Sequence, residues 1–194
     1  MNSEQLSVLV TGCSTGIGRE AARLLRERGY RVIAAARKEQ DLADLEREGF
    51  EVVALELRDS DSVCRAADKV LELTSGRLYA LFNNAAYGQA GAIEDLTRSA
   101  LREQLEVNLL GTHELTVALL PAMRKCGRGR IVNCSSVLGL VTLMYRGAYS
   151  ASKYALEALS DALRMELKGT GIYVSLIEPG PIESAFRSTC YKKF

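Results

Sequence analysis

In "YSASK", Tyr149 stands four residues before Lys153 with only small residues between. On a helix that spacing stacks a phenol and an ammonium on one face. A free tyrosine titrates near 10, too high for ready proton exchange at neutral pH, and a nearby ammonium favours its phenolate. The pair is therefore either surface decoration or an acid with a lysine that tunes it. Upstream, "NCSS" ends an apolar run with Ser135 and Ser136, whose side chains must point to opposite sides of a strand.

A second group could hold phosphate. "TGCSTGIG" (11–18) puts Gly12, Gly16 and Gly18 between an apolar run and a helical segment. Glycines there permit a tight turn and let the backbone approach a pyrophosphate, whose charge the amides of the helix N-terminus receive. About twenty residues on, where a protein selecting NAD usually carries an acid, "AAARK" places Ala36, Arg37 and Lys38. An arginine can make a bidentate contact with the 2′-phosphate of NADP, whereas a carboxylate would repel it. The phosphorylated cofactor is favoured; a merely solvated strand end is the plainer reading of Arg37 and Lys38.

Positioning these groups requires a regular scaffold, and the sequence supplies one. "LSVLVTG" (6–12), "YRVIAAA" (30–36), "FEVVALEL" (50–57), "LYALFNN" (78–84), "GRIVNCSS" (129–136) and "IYVSLIEPG" (172–180) read as strands buried on both faces. Leucines and alanines recur at three- and four-residue spacing over 17–28, 39–48, 60–74, 98–126 and 148–169, which read as helices. The alternation predicts an α/β fold, a doubly wound parallel sheet in a three-layer αβα arrangement. Gly29, Gly49, Gly76, Gly127 and Gly171 follow the helical runs, as left-handed caps do. No internal repeat or linker interrupts the pattern.

Bulk properties narrow the partners. The 194 residues suit one domain, 1–194. Lys and Arg total 25 against 24 Asp and Glu, so there is no electrostatic reason to expect nucleic acid or an anionic membrane. The five cysteines form no C-x-x-C and no cluster with histidine, which argues against a disulfide framework or a metal site and favours a reducing cytoplasm. Neither a signal peptide nor a run of about 18 apolar residues is visible. Small molecules are the expected partners.

The motifs together resemble the classical short-chain dehydrogenases/reductases: T-G-x-x-x-G-x-G at 11–18, N-N-A at 83–85, Asn108 in "EVNLLGT", the "NCSS" strand end, Y-x-x-x-K at 149–153 and P-G at 179–180, in the family's order over nearly the whole chain. The resemblance implies a Rossmann-type fold and NADP(H)-dependent interconversion of an alcohol and a ketone or aldehyde, with Tyr149 as acid/base and Lys153 as tuner and ribose anchor. The family's serine-to-tyrosine spacing selects Ser136 to orient the carbonyl. Asn108 matches the residue that organises a water relay to the lysine, although a helical asparagine can equally pack around a local backbone irregularity.

Carried over residue by residue, the cofactor site would include Gly12, Ser14, Thr15, Gly16, Ile17 and Gly18, then Arg37 and Lys38. Glu56 and Leu57 would meet adenine, Asn83 and Ala85 would lie under its ribose, and Pro179, Gly180, Ile182 and Ser184 would line the nicotinamide side. "YGQAGAIEDL" and "GTHELTVALLPAMR" resemble retinoid- and steroid-type members, and segments 87–93, 138–146 and 182–194 should bound an apolar substrate pocket. Homodimers or homotetramers through 98–126 and 148–169 would suit the family.

The chain departs from the family at Ala86 and Ser184, where glycine and threonine are usual, and at its C-terminus. Family members usually continue there through a substrate-covering helix and a final strand, so both are expected to be missing or incomplete, the chain being either a fragment of a longer enzyme or a shortened relative. That motivates an alternative: a nicotinamide-binding regulatory or structural protein with little turnover. His113 sits in an amphipathic run without a metal or nucleophile partner and reads as non-catalytic. The "NCS" sequon falls on a buried strand, and "RKCGRGR" (124–130) reads as a solvated turn.

Overall fold

The computed structural model describes residues 5–184, Phe186 and Cys190. Strands β1 (Ser7–Thr11), β2 (Arg31–Ala36), β3 (Glu51–Ala54), β4 (Leu78–Asn83), β5 (Gly129–Cys134) and β6 (Ile172–Ile177) alternate with helices α1 (Gly16–Glu27), α2 (Glu39–Arg47), α3 (Ser60–Leu73), α4 (Arg98–Leu105), α5 (Gly111–Cys126) and α6 (Gly147–Glu166). All strands pair in parallel in the order β3-β2-β1-β4-β5-β6. The order reverses between β1 and β4, and at such a switch point the loops leaving two neighbouring strands diverge and open a crevice.

Alternating side chains feed two cores. Leu9, Ile33, Leu81 and Ile131 face Val63 and Val70 of α3 and Leu115, Leu119 and Met123 of α5. Val8, Val10, Ala34 and Phe82 face Ala22 of α1 and Leu45 of α2. Leu81, Leu115 and Leu119 are wholly buried, and truncating any of them to alanine should cost about 2–5 kcal/mol. These two layers hold the strands rigid enough for their ends to carry a site.

The elements are shorter than their sequence patterns. The runs at 50–57, 129–136 and 172–180 leave the ladder after Ala54, Cys134 and Ile177; in the first two, apolar or small residues continue into loops that are still buried. Leu57 and Ser136, for example, are both buried outside any strand. The run 98–126 is not one helix: α4 and α5 are separated by a π turn, Glu106–Leu110. The expected capping glycines adopt positive φ, Gly127 at 64° after α5 being one.

Candidate active site

Thr11, the last residue of β1, anchors the glycine turn. Its hydroxyl accepts from Asn84 N at 2.9 Å and Ala85 N at 3.0 Å, tying the loop after β4 to the end of β1. Asn84 Nδ2 donates to Thr11 O at 3.0 Å. A Cβ on Gly12 would lie 2.8 Å from Ala85 Cα, and one on Gly18 would lie 2.4 Å from Gly12 O and 2.5 Å from Asn84 Nδ2. Only glycine fits either place.

Ser14 O accepts from Arg19 Nη1 at 2.9 Å. Thr15 is the exposed N-cap of α1, without a side-chain capping bond. Ile17 packs on the second core. Ser184 lies across the turn, its Cβ 3.5 Å from where a Cβ of Gly16 would stand. A shallow backbone cradle at the start of a helix is the geometry a pyrophosphate requires.

Arg37 and Lys38 are exposed just beyond β2. Arg37 Nη1 reaches Glu56 Oε2 at 3.4 Å, Glu56 also meets Arg58 at 3.3 Å, and Arg58 reaches Glu103 at 3.1 Å. Burial pushes the Glu56 carboxyl upward, but hydrogen bonds from Arg58 and the charges of Arg58 and Arg37 hold it below its usual range. Two expectations change here. The Leu57 side chain belongs to the first core, and a Cβ on Gly111 would meet Leu57 O at 2.1 Å. The Asn83 side chain donates to Thr116 Oγ1 at 3.0 Å and Asn133 Oδ1 at 2.8 Å, inside the sheet. Both side chains are taken up inside the protein, so any contact from these residues would be through the backbone; Asn84 and Ala85 stand at the turn itself.

Tyr149, Lys153 and Ser136 come together at the carboxyl ends of β5 and β4. The first turns of α6 bury Tyr149 (8% exposed) and Lys153 (2%), and the Lys153 Nζ stands 5.7 Å from the Tyr149 ring centroid. Ser136 influences the Tyr149 phenol, favouring its charged form, and accepts from Leu138 N at 3.1 Å. Ser135 faces the other way, its hydroxyl buried without a partner.

The titration of this pair departs from the expected tuning. Burial raises Tyr149 to about 12, and the opposing influence is that of Ser136. Burial lowers Lys153 to about 8, and its ammonium donates to Cys134 O at 2.6 Å. Within the protein alone the lysine does not lower the phenol, because desolvation exceeds whatever the ammonium contributes across that separation.

Asn108 lies in the π turn, 1% exposed. Its Oδ1 accepts from Tyr87 N at 3.1 Å, and its Nδ2 donates to Tyr87 O at 2.9 Å and Ser152 Oγ at 3.1 Å. The amide thus clamps the loop after β4 to α6 beside the lysine. Gln104 grips the same loop, donating to Tyr87 O at 2.9 Å.

Pro179 O accepts from Val137 N at 3.2 Å, fixing the chain after β6 beside the serine loop, while Gly180 and Ile182 are exposed. The sequence did not single out Phe186 and Cys190. The Phe186 ring packs on Tyr149 with centroids 5.6 Å apart, and buried Cys190 has its Sγ 2.8 Å from where a Cβ of Gly88 would lie. Of the expected pocket segments, 138–146 exposes Leu140, Val141, Leu143 and Met144. His113 is exposed on α5, and Asn133 is buried and bonded to Ser160 at 2.8 Å. A recess of about 300 Å³ lined by Ser7, Arg31, Arg77 and Arg128 lies at the opposite, N-terminal ends of the strands, away from all of these residues.

Comparison with known proteins identifies the family. A family model described as short chain dehydrogenase matches residues 7–193. The uncharacterized oxidoreductase YbbO of Escherichia coli (strain K12) is 52% identical over 182 residues, covering 94% of this chain and 68% of that protein. Retinol dehydrogenase 16 of Homo sapiens is 41% identical over 186 residues, covering 93% of this chain and 58% of that protein. A crystal structure of a short-chain dehydrogenase from Streptomyces avermitilis superposes with a TM-score of 0.89 at 39% identity, covering 94% of this chain and 68% of that one. An actinorhodin polyketide ketoreductase crystallised with NADPH superposes at 0.90 with 32% identity, covering 97% and 75%. This chain therefore spans only part of the length of each relative.

Proposed function

Because the chain belongs to the short-chain dehydrogenase/reductase family, we propose that it is an NADP(H)-dependent oxidoreductase interconverting a small apolar ketone or aldehyde and its alcohol. The observation that carries this reading is the burial of Tyr149 and Lys153, one helical turn apart, beside buried Ser136 at the end of β5, where the lysine is tied to Cys134 O. When bound, the nicotinamide supplies a hydride to the carbonyl carbon in the reductive direction, or accepts one in the other. Ser136 donates to the carbonyl oxygen as negative charge develops there. A phenol raised to about 12 is fully protonated at neutral pH, so Tyr149 holds the proton that the new alkoxide needs. With the cofactor bound, the Lys153 ammonium would hold the ribose hydroxyls and stabilise the phenolate left behind, while Asn108 keeps the neighbouring loop in place.

The exposed Arg37 and Lys38 support preference for the phosphorylated cofactor, as does the binding of NADP(H) by structural relatives. The exposed apolar residues of segment 138–146 support an apolar substrate. Assembly as a dimer or tetramer through α5 and α6 is supported by Val117, Tyr154 and Leu159 on their outer faces. Five free cysteines support a cytoplasmic location; no described helix is long and apolar enough to cross a membrane. A second reading, cofactor binding with little turnover, is favoured by Phe186 lying on Tyr149.

Calorimetric titration with NADPH and NADH, followed by reduction of generic apolar ketones, aldehydes and quinones, separates the two readings. The enzyme reading expects NADPH preference that falls at least about tenfold in Arg37→Ala, and turnover abolished in Tyr149→Phe. Binding without turnover supports the second reading, and no binding of either cofactor overturns both.

A further inference from the structure

The face of α6 that carries Tyr149 and Lys153 continues one turn further to Glu157, since residues four apart stack on one helical face. Glu157 is half-buried, and its Oε1 is shielded from solvent without a hydrogen-bond partner. Nearby, the Ser135 hydroxyl is buried and equally unpartnered. Both face the same point: a Cβ on Gly139 would lie 2.7 Å from Ser135 Oγ and 3.1 Å from Glu157 Oε1. A donor and an acceptor therefore look into one small space that stays open because residue 139 has no side chain. That space is the size of one methyl bonded to Gly139 Cα, so it suits direct contact between the two groups after side-chain rotation, not a bridging water.

Glu157 is also the carboxylate whose charge reaches Lys153. The groups facing that ammonium are the carbonyl and thiol of Cys134 from β5, and Tyr149 and Glu157 from α6 itself. A carbonyl at 2.6 Å satisfies one of three N–H donors but carries no net charge. Burial works against the charged lysine, and Cys134 and then Glu157, the only carboxylate acting on it among the described residues, work for it.

Resting on the reading of Lys153 as part of the active site, we infer that Glu157 is a positioning residue, oriented by Ser135 across Gly139, that keeps the Lys153 side chain charged and aligned with Tyr149. The motif of this chain is then Y-x-x-x-K-x-x-x-E, with the glutamate acting through the lysine and touching no substrate.

The test is the titration of Lys153 in the protein itself, followed by heteronuclear NMR of labelled lysine side chains and assigned with Lys153→Met. Glu157→Gln should lower the midpoint by about 0.5 pH unit or more, and Glu157→Asp should restore at least half of that shift. Ser135→Ala should move it in the same direction by less. Gly139→Ala keeps both polar groups while displacing them, and should also lower it, which supplies the answer if Glu157→Gln fails to fold. A midpoint within about 0.2 unit of the parent's in the folded Glu157 or Gly139 variant overturns the inference, and an unmoved Ser135→Ala overturns the part given to the serine. None of these readings requires turnover, so failure of the proposed reaction is distinguishable. Where turnover is measured, its alkaline limit should fall with the NMR midpoint.

Discussion

Lys153 donates to Cys134 O at 2.6 Å while its Nζ stands 5.7 Å from the centroid of the Tyr149 ring. The lysine is thereby fastened to the end of β5 and held beside the phenol without touching it. A buried cation in that position is a standing cost to the fold, and the cost must depend on pH.

Lys153 is lowered from 10.5 to about 8. Between these values the unfolded chain binds the proton more tightly than the native one, so this group's contribution to stability rises with pH across that window and is lost as pH falls through 8. Buried thiols and Tyr149, all raised, act oppositely at alkaline pH. The comparison must therefore be differential. Relative to Lys153→Met, the parent should gain about 3 kcal/mol between pH 8 and 10.5. Parallel denaturation curves for the two proteins over that range would contradict it.

Gly18 and Gly16 should respond differently to alanine. At Gly18 the new methyl meets backbone at 2.4 Å and Asn84 Nδ2 at 2.5 Å, so the turn must open, at about 1–3 kcal/mol with at least a tenfold loss of NADPH affinity. At Gly16 the nearest atom is 3.5 Å away and only the φ of 61° resists, which costs about 1 kcal/mol. Urea unfolding and calorimetry on the two variants measure both quantities; equal effects would mean that close approach at Gly18 is not what shapes the cradle.

The glycine turn and the Tyr149–Lys153 pair were legible because their meaning is local: a turn between a strand and a helix, and a four-residue helical spacing. The doubly wound parallel sheet follows from alternation in the same way, but its order β3-β2-β1-β4-β5-β6 does not, since other orders obey the same rules. Other features depended on contacts distant in sequence. Nothing in "NNAA" tells which asparagine turns inward; Asn83 does so because Thr116 and Asn133 wait there, 33 and 50 residues away. The π turn around Asn108 is invisible to a period of 3.6, and its partner Tyr87 is 21 residues distant. The spacing of Tyr149 and Lys153 suggested a lowered phenol; the depth at which the fold buries both reverses the sign.

Asn83 and Asn84 should therefore separate stability from binding. Asn83→Ala leaves Asn133 Oδ1 and Thr116 Oγ1 without the buried donor they share and should cost about 2–3 kcal/mol, with NADPH affinity in the folded fraction changed less than about threefold. Asn84→Ala loses the bond to Thr11 O that braces the turn and should cost about 1 kcal/mol while lowering affinity more than Asn83→Ala does. Chemical denaturation and calorimetry on both variants decide it; the reverse pattern would place Asn83 in the cofactor site.

Phe186 should govern access to Tyr149. Its ring lies 5.6 Å from the phenol ring, on a segment that also buries Cys190 against Gly88. Burial is the largest reason that Tyr149 is raised to about 12, so Phe186→Ala should bring the phenol down toward 10 and let water and reagents reach it. The direction is fixed by sign: exposing the hydroxyl favours the charged phenolate. Phenolate absorbance, with Tyr149→Phe subtracted, should move to lower pH, and nitration of Tyr149 should quicken several-fold. If the ring also fills space that a ketone must occupy, the variant should lower KM for bulky apolar ketones more than it changes kcat, because the gain lies in binding. An unchanged titration together with unchanged nitration would mean that strand ends and α6, not Phe186, bury the tyrosine.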